Sequence, residues 1–131
     1  MASEFITLPS FATHADGAEH FFGTRLSAIP VTPGRASAHR TEQQDHRAPV
    51  ILSVKQVHGT DALVVDRPVQ QGELFEGGWD ALVTNQPGLM VTVRTADCVP
   101  VLVHDPVRQV VAAIHAGWRG AVAGIVPKTV A

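Results

Sequence analysis

From residue 50 onward the chain is cut into apolar runs of five to seven residues, separated by Gly, Pro, Asn and Asp. They are Val50–Val54, Asp61–Val65, Asp80–Thr84, Leu89–Val93, Val99–His104 and Gln109–His115. Runs of this length, rich in β-branched residues and bounded by turn formers, predict short strands. Several are apolar at consecutive positions, which predicts a sheet covered on both faces. Asp-Ala-Leu-Val occurs twice, at 61–64 and 80–83, and reads as two similar strands rather than a duplicated unit.

The remaining segments have other textures. Residues 31–49 are rich in Pro, Gly, Ser, Gln, His and Arg, and read as an exposed loop. Arg119 to Ala131 reads as the beginning of a helix with Pro127 inside it and no stop signal, so the chain is expected to be the N-terminal part of a longer domain. A length of 131 residues fits one domain, and 45% hydrophobic against 17% charged residues fits a globular one. The net charge is −2 and Lys and Arg are not clustered, which argues against a nucleic-acid partner. No apolar run approaches the ~20 residues of a membrane span. Residues 1–10 lack the basic and apolar regions of a secretory signal, so the cytoplasm is the expected compartment.

Chemistry concentrates around the last strand. His115-Ala116-Gly117-Trp118-Arg119-Gly120 sets a histidine at a strand end, two glycines that permit close backbone approach, and an arginine near a helix start. The single cysteine, Cys98, excludes an internal disulfide and reads as a buried small hydrophobe, a ligand or a nucleophile. A hairpin tip at Pro106-Val107 would set Cys98 directly opposite His115 and Pro100 opposite Ala113, with the paired Cβ atoms ~5 Å apart. Pro100 also predicts an edge strand. Lys55-Gln56-Val57-His58-Gly59 again ends a strand in His-Gly. His58, Cys98 and His115 would then form the Cys/His₂ donor set of an open zinc site, although this spacing is not a compact metal motif. Asp97 reads as a general acid/base, as a partner that orients a ligand, or as a turn residue. Arg119 reads as an anion binder or a solvated helix-start residue. Gln56 reads as holding a ligating histidine, or as nothing beyond a strand end.

Gln56-Val57-His58-Gly59, Asp80-Ala81-Leu82-Val83-Thr84, Thr95-Ala96-Asp97-Cys98-Val99-Pro100-Val101 and His115-Ala116-Gly117-Trp118-Arg119-Gly120 together resemble the YfiH family, also called the laccase-domain, multicopper polyphenol oxidase or DUF152 family. The likeness covers roughly residues 20–131. It implies an α/β (α+β) sandwich with mostly antiparallel or mixed sheet, similar to the catalytic domain of cytotoxic necrotizing factor toxins. It implies a metal on His58, Cys98 and His115, read as zinc, with copper in the older description. The implied activity is phosphorolysis of adenosine, inosine, guanosine and methylthioadenosine, together with adenosine deamination. The partners are then a nucleoside and phosphate, with Arg25, Gln56 and Arg119 as binding residues and Asp97 and Arg119 as catalytic ones. A monomer or weak oligomer is expected. Phe22-Gly23-Thr24-Arg25 matches the family's usual start, whereas residues 26–49 lack its Asn-Leu-Gly-like motif and Asn-Arg pair. Other readings are a metal-free Cys/His hydrolase, peptidoglycan-precursor editing, an inactive fragment, and a copper polyphenol oxidase, which needs more ligands than these three.

Overall fold

The computed structural model describes Phe5–Ile6, Ala18, His20, Phe22–Gly23, Ala36–His39 and residues 49–131. The chain separates into two compact units, Met1–Val31 and Thr32–Ala131. In the first, strands β1 (Phe5–Ile6) and β2 (Phe22–Gly23) pair antiparallel. Arg25 lies outside the described residues.

Among the described residues, the second unit carries two four-stranded sheets. One has the order β6 (Leu74–Phe75), β3 (Ala36–His39), β4 (Val50–Ser53), β8 (Leu89–Val91). The other has the order β5 (Ala62–Val65), β7 (Ala81–Thr84), β10 (Val110–Ala116), β9 (Val99–Asp105). Each is mixed: β4 runs parallel to β8 and β5 parallel to β7, while the other pairings are antiparallel. Two short helices follow, α1 (Trp118–Val122) and α2 (Ile125–Val130).

The alternation of side chains explains the layering. Leu82 joins a buried cluster with Val50, Leu52, Val54 and Val65, which ties the two sheets together. Its neighbour Ala81 points the other way and packs with Ile114, Ala116 and Ile125, which ties the sheet to α2. The two Asp-Ala-Leu-Val runs form neighbouring parallel strands. They lie side by side in register, Ala62 beside Ala81 and Leu63 beside Leu82.

Three expectations need correction. Ala36–His39, inside the stretch read as an exposed loop, forms β3 and pairs with both β4 and β6. Its Ala-Ser-Ala-His sequence has no strand signal, and the pairing comes from neighbours supplied by tertiary structure. The helix expected from Arg119 is broken: Gly124 takes a left-handed φ of 85°, and its N–H bonds back to the Ala121 carbonyl. Pro127 then sits in the first turn of α2, where a missing N–H costs little.

The third correction concerns register. β9 is the edge strand, as Pro100 predicts, but its hairpin to β10 closes on Asp105 opposite Val110, and His115 faces Pro100 rather than Cys98. The carboxylate of Asp105 accepts from the backbone N–H groups of Val107 (2.9 Å) and Arg108 (3.0 Å). Gln109 takes φ 55°, so it serves the turn instead of the strand.

Those amides, Arg108's first, hold the Asp105 carboxyl below its ordinary value of 3.8. A carboxyl depressed on folding contributes stability that is full above its unfolded value and is lost as pH falls through the folded one. Asp105→Asn should thus lower the urea midpoint slightly at pH 7, with the deficit shrinking toward pH 3. A deficit as large at pH 3 as at pH 7 contradicts this account of the turn.

Candidate metal centre

The three residues singled out as ligands meet at one end of the β5-β7-β10-β9 sheet. One donor atom from each of His58, Cys98 and His115 lies within 4.8 Å of the other two. The Cys98 thiol is 4.0 Å from Nε2 of His58. The two imidazoles stand edge to face, with centroids 4.9 Å apart and planes at 81°. His115 is buried, Cys98 half-buried and His58 exposed, so the group opens to solvent on the His58 side.

Each donor arrives by a different local device. His115 is the penultimate residue of β10, inside the sheet. Cys98 lies in the bend just before β9, where the observed hairpin register extends to place it level with Gly117. Glycine there matters sterically. A Cβ on Gly117 would stand 2.9 Å from Cδ2 of His58, 3.3 Å from the Cys98 sulfur and 3.8 Å from Cε1 of His115. The missing side chain is the space into which the thiol and the imidazoles converge. His58 stands in the bend after β4 with a left-handed φ of 59°, a conformation uncommon outside glycine.

The sequence reading gave no role to Asp80, which leads β7 and is fully buried. Its Oδ1 lies 2.8 Å from Nδ1 of His115 and accepts from the His58 N–H at 2.9 Å. Its Oδ2 accepts from the Gly59 N–H at 2.7 Å and the Val57 N–H at 3.2 Å. The Asp80 carbonyl also accepts from the His115 N–H at 2.7 Å. Antiparallel pairing of β7 with β10 brings Ala81 opposite Ile114, so Asp80 and His115 are the next opposed pair. That cross-strand relation was the available signal. Read alone, an Asp before an apolar run is a surface residue, and Asp61 is one: exposed, and paired to Lys128 at 2.8 Å.

The other candidates are arranged differently. Gln56 spends both ends of its amide on the Arg94 backbone, donating to the carbonyl at 2.8 Å and accepting from the N–H at 2.7 Å. It ties the loop that carries His58 to the segment that leads to Cys98. Asp97 is exposed and makes no hydrogen bond or ion pair among the described residues. The guanidinium of Arg119 lies over the exposed Trp118 ring, 5.4 Å from its centroid. It belongs to a five-residue helix, Trp118–Val122.

Two imidazoles and a thiol suit a transition-metal ion, and this group could bind one. The sequence model of the multi-copper polyphenol oxidoreductase laccase family matches residues 31–131. The chain belongs to that family. A purine nucleoside phosphorylase of Deinococcus radiodurans is 43% identical over 85% of this chain and 48% of its own length. Another, from Streptomyces coelicolor, is 51% identical over 80 residues, which are 61% of this chain and 32% of that protein. The crystal structure of Bacillus licheniformis hypothetical protein YfiH superposes with a TM-score of 0.55 and 32% identity, over 61% of this chain and 32% of that one. The chain thus spans less than half the length of these relatives. No described helix is long and apolar enough to cross a membrane.

Gly117→Ala tests the convergence directly. The added methyl should push His58 and Cys98 apart and weaken binding of titrated zinc or copper about tenfold or more, a loss typical of disturbed ligand support. The far-UV spectrum should be retained. Unchanged affinity in a folded variant contradicts the assigned packing.

Proposed function

We propose that this chain forms the metal-binding part of a zinc-dependent purine nucleoside enzyme. It would catalyse phosphorolysis of adenosine, inosine, guanosine and methylthioadenosine, and deamination of adenosine. The observation that carries the reading is the convergence of His58, Cys98 and His115 in a chain whose relatives are named purine nucleoside phosphorylases. His58, Cys98 and His115 would hold the zinc, which would supply Lewis acidity there.

The residues of the chain supply the rest. Arg119 sits two residues beyond Gly117 and takes phosphate as a charge-assisted partner, releasing its stack on Trp118. In phosphorolysis the bond from ribose C1′ to the purine nitrogen breaks, a bond from C1′ to phosphate oxygen forms, and the base leaves with a proton. Asp97, solvent-accessible and next in sequence to Cys98, is assigned that proton transfer at the purine nitrogen. In deamination, water replaces the amino group at C6 and ammonia leaves. Gln56 contributes by holding the His58 loop, as its bonds to Arg94 require.

A second reading draws on the same geometry without metal. Cys98 beside two imidazoles, one held by Asp80, has the makings of a nucleophile, a base and an orienting carboxylate. This is the chemistry that a likeness to the toxin catalytic domain would favour. The metal content of an active preparation separates the two.

The purified chain, loaded with zinc, is incubated with adenosine with and without phosphate, and adenine, inosine and hypoxanthine are resolved. The expected result is adenine only when phosphate is present, inosine in either case, and loss of both products together with zinc in Cys98→Ala. Metal-free protein that turns over and is silenced by thiol alkylation would favour the Cys/His hydrolase. Stoichiometric zinc with no conversion of any nucleoside contradicts the enzyme assignment for this chain.

A further inference from the structure

Asp80 has more bonding than a structural carboxylate at a strand entrance requires. Four donors converge on its two oxygens: the N–H groups of three consecutive residues, Val57, His58 and Gly59, and the Nδ1 edge of His115. All four come from, or flank, the two histidines of the donor set. The carboxylate is fully buried, where unpaired oxygens or amides would be costly.

Its two halves do different work. A carboxylate facing Nδ1 accepts, so His115 carries its proton on Nδ1 and leaves Nε2 as the lone-pair nitrogen. Toward the loop, the same carboxylate gathers three successive amides that the β4–β5 connection leaves without sheet partners. Gathering them holds His58 at its left-handed φ of 59°, and its ring stands edge-on to that of His115. The close passage of Gly120 under the loop, where a Cβ would lie 2.7 Å from the Gly59 carbonyl, supports the loop from the other side.

We infer that Asp80 is the positioning residue of the centre, one buried carboxylate that sets the tautomer of His115 and the backbone conformation of His58 together. The inference rests on the metal-binding reading above. It assigns Asp80 a role in affinity, not a place among the ligands. Asparagine cannot replace it: an amide offers one accepting oxygen and presents an NH₂ to groups that are themselves donors, so at least one of the converging donors loses its acceptor.

The test compares Asp80→Asn with Asp61→Asn, the same residue type in the twin Asp-Ala-Leu-Val run. Zinc affinity is measured by competition with a chelator, and histidine tautomers by long-range ¹H–¹⁵N correlation on the metal-free chain. In the wild type, His115 should carry its proton on Nδ1. Asp80→Asn should lose that signature and bind zinc about 10–100-fold more weakly, the range typical when a partner behind a metal ligand is removed. Asp61→Asn should match the wild type in both.

A folded Asp80→Asn chain that binds zinc as the wild type does overturns the inference and leaves the metal reading intact. A wild-type chain that takes up no zinc overturns both. If Asp80→Asn does not fold, the wild-type tautomer decides: a proton on Nδ1 of His115 supports the inference, and one on Nε2 overturns it.

Discussion

The pairing of Asp80 with His115 across β7 and β10 is the interaction on which the rest of the site depends. It extends the ladder between the two strands by one step, with the His115 N–H on the Asp80 carbonyl and the side chains meeting at 2.8 Å. Burying a carboxylate at a sheet end is costly unless it is saturated with donors. Here saturation is reached by drawing in the loop after β4, and that loop carries His58. The cost of burying one charge is thus met by organising two histidines. The sheet supplies rigidity, the helices seal its opposite face through Ile125, and the third donor needs only the vacant volume over Gly117.

This arrangement explains why strain appears where it does. His58 holds a left-handed conformation that costs on the order of 1 kcal/mol or more for a residue with a side chain. Three amides bound to one carboxylate repay it. Gly117 and Gly120 allow backbone and rings to approach within distances no side chain would tolerate. Such local tension is expected at a functional site rather than in a scaffold.

The strands from residue 50 onward were legible because β-branched residues cluster between turn formers, and Pro100 correctly marked an edge. Ala36–His39 and Leu74–Phe75 were not, since neither has periodicity and both exist by pairing with neighbours distant in sequence. The hairpin register was missed by two because nothing in a glutamine announces that Gln109 will adopt positive φ. The shift kept Cys98 on the His115 face, since displacement by two preserves side-chain direction, so the two residues still lie close together. Asp80 stayed hidden because it shares its local sequence with Asp61. Burial and cross-strand opposition separate the two, and neither is written in a tetrapeptide.

The central claim is that His58, Cys98 and His115 act as one donor set held ready by the fold. X-ray absorption at the zinc edge of the zinc-loaded chain tests it most directly, because sulfur and nitrogen neighbours scatter at different distances, about 2.3 Å and 2.0–2.1 Å. The account predicts one sulfur and two imidazole nitrogens in the first shell. A shell of oxygens, or of nitrogens without sulfur, would contradict it.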